Sequence, residues 1–248
     1  MDLRRIVEGV PETRELYLED SYLKEAKARI LRAVKEKGSR YYLVLDETIF
    51  HPLSGGQATD KGFLEGEGFR FEVKKALKSG KHVIIYGKSL EGVPTEGAEV
   101  VQKVQWERRY LIMRLHTAGH VLDRAVSELI GQQVHTLGAF HGPPDAYVEY
   151  DKLEADPEEI EELANEILDD REVIVRYVTP QELDDVVYGA PNLGRLPPAE
   201  VYRVIDIVGI NAIPCTGTHV KRTSEVGGIR VIGVEEIEGG FRLHYWVD

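Results

Sequence analysis

Hydrophobic residues recur at helical spacing through one long run, Trp106 to Ile130, where Leu111, Leu115, Leu122, Val126 and Leu129 form a stripe. Upstream the period is shorter. Tyr41 to Leu45 is a β-rich run entered from the turn signal Lys37-Gly38-Ser39. Phe63 to Glu65, Phe69 to Lys75 and His82 to Tyr86 are further short strands, separated by Gly66-Glu67-Gly68 and Ser79-Gly80-Lys81, and Glu15 to Leu18 alternates weakly. Regularly spaced short strands of this kind predict a small β-barrel. Tyr22 to Glu36 reads two ways: its Lys, Ala, Glu and Leu favour helix, whereas a Gly turn to Tyr41 suits a hairpin. Propensity alone predicts helix there.

The segment Gly87 to Gly97, with Gly92 and Pro94, is the expected boundary, giving domains 1–97 and 98–248. After it, Val100 to Val104 reads as a strand leading into the long helix. An acidic helix follows, with Ile160, Leu163, Ile167 and Leu168 inward, then a strand over Glu172 to Val178 and a short helix opened by Thr179-Pro180 with Thr179 as N-cap. A Gly/Pro loop from Gly189 to Pro198 precedes a strand over Val201 to Val208. Gly228 to Glu236 and Phe241 to Val247 form a closing hairpin around Glu238-Gly239-Gly240. The second domain is therefore expected to be α+β, as is the chain as a whole.

At 248 residues the chain can bury one large core or two smaller ones. No stretch approaches the roughly 20 apolar residues of a membrane span, and Met-Asp-Leu-Arg-Arg is followed by no apolar signal core. The lone cysteine cannot make an internal disulfide, which fits a reducing cytoplasm, and the expectation is a cytoplasmic protein without an obligate protein partner or membrane attachment. A net charge of -12 argues at first against nucleic acid. Residues 151–170 alone hold ten acids against Lys152, however, as the solvated side of the acidic helix would, so a basic face elsewhere stays open.

The chemistry lies in the long helix. His116 and His120 fall on one face a turn apart, and Pro214-Cys215-Thr216-Gly217-Thr218-His219 adds the only thiol and a third imidazole in a tight turn. Three histidines and one thiolate match a zinc site by type and number, and suit Zn2+ better than magnesium or calcium. Thr117 stands where the His-Glu-x-x-His proteases carry their glutamate, which disfavours a peptidase. His51, His82, His141 and His244 have no partner at ligand spacing and default to structural or exposed roles.

His116-Thr117-Ala118-Gly119-His120 followed by Cys215-Thr216-Gly217-Thr218-His219, with Arg108-Arg109 upstream and Gly227-Gly228 downstream, closely resembles the zinc-binding editing domain of alanyl-tRNA synthetases and of their free-standing relatives, the AlaX trans-editing proteins. Phe50-His51-Pro52-Leu53-Ser54-Gly55-Gly56-Gln57 looks like the glycine-rich motif of the N-terminal barrel in the medium-length AlaX proteins, which moves Tyr22 to Glu36 towards barrel strand. The resemblance implies hydrolysis of serine or glycine from misacylated tRNA(Ala) in trans, with zinc held by His116, His120, Cys215 and His219. Zinc would then either acidify a bound water as the nucleophile or bind the amino group and carbonyl of the ester. No side-chain base is assigned. Thr136 falls where the family carries a residue contacting the serine hydroxyl; otherwise it is a strand-end threonine. Gly55, Gly56 and Gln57 are candidate substrate contacts, the alternative being a tight turn with Gln57 on backbone. Arg108, Arg109, Arg114, Lys221 and Arg222 are the candidate tRNA contacts. Thr216 departs from the common Cys-Gly-Gly-Thr-His form. Two other readings stay open: a silent tRNA- or protein-binding module with structural zinc, and a deacylase for another misacylated tRNA.

Overall fold

Alternating apolar and polar positions do build a barrel. The computed structural model describes residues 2–248. They divide into one unit ending at Tyr110 and another from Leu111 to Asp248. The first opens with helix α1 (Leu3–Val7), where the Asp2 side chain accepts from Arg4 N. Strand β1 (Arg14–Glu15) and the single turn α2 (Leu16–Glu19) occupy the stretch expected to be strand, because Leu16 and Tyr17 turn inward there as neighbours on a helical turn. Then come β2 (Glu25–Lys37), β3 (Arg40–Leu45), β4 (Glu47–Thr48), β5 (Gly62–Gly66), β6 (Phe69–Ser79), β7 (His82–Glu91) and β8 (Glu99–Val104). Six of these close in the order β2-β3-β7-β6-β5-β8.

The helix that propensity favours over Tyr22 to Glu36 is strand β2. Ala28 and Ile30 are buried while Glu25, Lys27 and Arg29 are exposed, a period of two that outweighs residue propensity. Bulges between Ile30 and Arg32 and between Lys35 and Lys37 bend it, so its first half pairs with β8 and its second with β3. Leu43, Leu45, Leu64, Phe71, Val73 and Ile85 fill the interior, each burial being worth about 1.5–3 kcal/mol.

The division falls later than the glycine signals suggest, for two physical reasons. Strand β8 pairs with β2 and β5 and so completes the barrel. Gly87 lies inside β7, where a Cβ would sit 2.0 Å from Glu72 O, so it marks close strand approach rather than a linker.

Helix α3 (Trp106–Ile130) carries the chain across that division. In the second unit β9 (Thr136–Phe140) and β10 (Ala146–Tyr150) join β14 (Ile229–Ile237) and β15 (Gly240–Val247) in the order β14-β15-β10-β9. Between them run α4 (Pro157–Ile167), β11 (Val173–Val178), α5 (Leu183–Val186), β12 (Tyr202–Ile207) and β13 (Asn211–Pro214), the three strands forming a second sheet. The acidic helix α4 buries Ile160 and Ala164. Glu161 and Asn165 accept from the backbone of Val231 and Ile229, which covers the edge of β14. Thr179 is not the N-cap of α5: the helix starts later, and Thr179 instead donates both its N–H and its hydroxyl to Glu182.

Candidate metal centre

Helix α3 presents His116 and His120 a turn apart, with ring centroids separated by 5.3 Å. Strand β13 ends at Pro214, and the following turn delivers Cys215 and His219 to the same place. Cys215 Sγ lies 3.4 Å from His116 Nε2 and 3.5 Å from His219 Nε2, and all four ligand atoms fall within 4.8 Å of one another. Tetrahedral bonds of about 2.0–2.3 Å place ligand atoms roughly 3.3–3.8 Å apart, so both sulfur distances fit zinc, and the wider separations in the set require the ligands to close in around an ion. His120 Nδ1 is buried with no hydrogen-bond partner among the described residues, and its imidazole is a ligand type that zinc takes.

The surroundings fix these ligands. Thr117 donates its hydroxyl to Met113 O at 2.9 Å and accepts from Val220 N. With its proton committed, it must accept from His219 Nδ1 at 3.1 Å, which places the unprotonated nitrogen of the neutral ring at Nε2, beside Cys215 Sγ. Gly217 N donates to Cys215 Sγ at 3.3 Å. Arg203 Nη1 donates to Cys215 O and Gly217 O, shaping the turn through its backbone. Thr216 is exposed with no positive φ, so a side chain fits where the family form has glycine. Burial pushes the Cys215 thiol up, opposed by the Gly217 N–H. Burial also pushes His120 down to about 3, helped by the Arg203 charge, so the imidazole is neutral at neutral pH and one ring nitrogen keeps its lone pair for a metal.

Three further residues of this unit escaped sequence reasoning. His141 is buried and stacks on His116 with centroids 4.3 Å apart. Asp123, the residue one turn beyond His120, accepts from Tyr150 Oη at 2.9 Å, and burial pushes its carboxyl up to about 7 against that bond and the Arg195 charge. Arg195 donates to Thr136 Oγ1 at 2.7 Å and to Leu137 O at 2.6 Å. Thr136 itself is buried at the start of β9, its oxygen fixed by that contact.

The basic residues separate into different roles. Arg109 is fully buried against Asp60, which removes it from any surface that could meet phosphate. Arg114 is spent on Glu225 O, Val226 O and Asp248 O. Arg108 is half-buried and donates to Thr59 O. Arg222 pairs with Asp170 at 2.7 Å and lies 3.6 Å from Glu172, and Lys221 is exposed. In the barrel unit, Gly55 and Gly56 take φ of 58° and 74° in a turn closed by Gln57 N donating to Ser54 O, and Gln57 is buried. That matches the tight-turn alternative for the glycines.

The barrel unit matches the family described as tRNA synthetases class II (A) over residues 11–108. Residues 202–243 match the Threonyl and Alanyl tRNA synthetase second additional domain. Alanine–tRNA ligase of Pyrobaculum calidifontis is 39% identical, over 94% of this chain and 26% of the ligase. That of Pyrobaculum neutrophilum is 36% identical over 94% and 27%, and that of Sulfurisphaera tokodaii 34% over 98% and 27%. The chain thus spans about a quarter of the length of the curated relatives it matches. Similarity across both units, together with two histidines on one helix and a cysteine and histidine on one turn, makes this chain an AlaX-like relative of the alanyl-tRNA synthetases.

Proposed function

We propose that the chain hydrolyses the ester of misacylated tRNA(Ala), releasing serine or glycine. The observation that carries this reading is the three-imidazole, one-thiol cluster in a chain that aligns with alanine–tRNA ligases over nearly its whole length. Zinc, when bound, supplies a Lewis acid suited to ester carbonyls. Water adds to the carbonyl carbon, the bond to the ribose oxygen breaks, and a proton ends on that oxygen, giving free amino acid and a free tRNA terminus. Lys221 and Arg222 are the proposed phosphate contacts, and Gly55 and Gly56 the proposed contacts of the barrel unit with substrate. Four protein ligands also close a tetrahedral site, which favours a second reading of zinc as purely structural.

The experiment is deacylation of tRNA(Ala) carrying serine, glycine or alanine, before and after chelation. Serine and glycine are expected to be released faster than alanine, with release lost on chelation and restored by zinc. Equal rates with and without chelator would leave only the structural reading.

Selectivity needs its own argument. Alanine is smaller than serine, so a serine-sized pocket cannot exclude it sterically, and preference requires a hydrogen bond to the hydroxyl. A polar group left unpaired when alanine enters costs roughly 1–3 kcal/mol. We assign that group to Thr136, whose oxygen accepts from Arg195 and whose proton is thereby free to be donated to substrate. Thr136→Val keeps the shape and the zinc, and is expected to lower the seryl-to-alanyl ratio by about tenfold while sparing glycyl ester. An unchanged ratio would remove Thr136 as the discriminator.

A further inference from the structure

His141 lies outside the ligand set, yet three features fix it beside the cluster. Its ring stacks on His116 with planes 19° from parallel. Room for it is made by Gly119, where a Cβ would lie 2.5 Å from His141 Cε1 and 3.1 Å from Tyr245 Oη. A glycine inside a helix is destabilising relative to alanine, and here that cost coincides with the ring. The third feature is the tautomer. Tyr245 Oη donates its one proton to Leu115 O at 2.8 Å, so at 2.6 Å it must accept from His141 Nδ1. The neutral ring then carries its free lone pair on Nε2, which has no partner among the described residues, and 5% of the residue remains accessible. In this tautomer Nε2 accepts hydrogen bonds.

We propose that His141 Nε2 is the acceptor that orients the attacking water at the metal centre, making His141 a further catalytic residue of the hydrolysis proposed above, on which this inference rests. The ring aims the water and takes no proton from it. Of the two water protons, one stays with the carboxyl product and one leaves on the ribose oxygen.

The choice of replacement separates this role from packing. Asparagine places its amide on the Nδ1 side and can keep the Tyr245 contact while removing Nε2, whereas glutamine reaches the Nε2 position. His141→Asn is expected to lower kcat on seryl-tRNA by about 100-fold with KM within about twofold, and His141→Gln to stay within about tenfold of wild type. Both are expected to bind about one zinc per chain. A readout independent of activity is the ¹⁵N imidazole spectrum, in which the His141 proton is expected on Nδ1. The proposal is overturned by wild-type kcat in His141→Asn, by glutamine performing worse than asparagine, by zinc loss in His141→Asn, or by a proton on Nε2. A wild-type chain inert on every ester overturns the hydrolytic reading and the proposal together. An active wild type with an indifferent His141→Asn overturns the proposal alone.

Discussion

Cys215→Ala is expected to reduce bound zinc from about one per chain to under about a tenth, and to abolish ester hydrolysis with it. Its sulfur stands 3.4 Å and 3.5 Å from two of the three imidazole nitrogens that would share the ion. Removing it leaves three neutral ligands and a gap on one side of the cluster. The loss should be local. Arg203 shapes the turn through the carbonyls of Cys215 and Gly217, and Thr117 orients His219, and neither uses the thiol. The variant should therefore unfold close to chelated wild type, because both lack the stabilisation that a bound ion confers on the folded state and the variant loses in addition only the Gly217 N–H bond to sulfur. Elemental analysis of protein purified without added metal, paired with unfolding of the variant and the chelated wild type, checks this. Full zinc retention by Cys215→Ala would sink the assignment of the centre.

Much of this centre is legible in the sequence because its ligands are local pairs. His116 and His120 are one helical turn apart, and Cys215 and His219 share one turn, so each pair announces itself by spacing. His141 does not, since its partners are Tyr245, 104 residues away, and a helix it packs against. The available hint was Gly119, a helix-breaking residue between two histidines. Arg195 meets Thr136 across 59 residues and left no signal at all. In the barrel the same distinction holds. Strands such as β6 and β7 read clearly because their alternation agrees with their β-rich composition, whereas β2 hides its alternation under Lys, Ala, Glu and Leu. Strand β8 was legible as a strand, but its place in the barrel depends on pairing with β2 and β5, which spacing does not encode. Arg109 reads as a surface charge in the sequence because a buried arginine is identified only by the carboxylate that meets it.

That carboxylate sets the second large effect. Asp60→Ala is expected to destabilise the barrel unit by about 3–5 kcal/mol, the usual consequence of leaving one partner of a buried ion pair uncompensated. Arg109 and Asp60 are both fully inaccessible and 2.5 Å apart. The arginine also donates to Ser21 O and Ile49 O, and Asp60 also accepts from His51 N at 2.6 Å. The pair therefore ties the segment after α2, the strand-to-loop passage at Ile49 to His51, and the first turn of α3 into one network beside the glycine turn. Its removal strands a guanidinium and the backbone N–H of His51 together. Arg109→Met in the Asp60→Ala background removes the stranded charge and should recover part of the loss, though not the bonds to Ser21 and Ile49. Urea unfolding monitored on the barrel aromatics reads this as a lower midpoint at unchanged slope. A shift worth less than about 1 kcal/mol in Asp60→Ala would mean that water reaches the pair, since exposed ion pairs contribute no more than that. It would also return Arg109 to the set of residues available to phosphate.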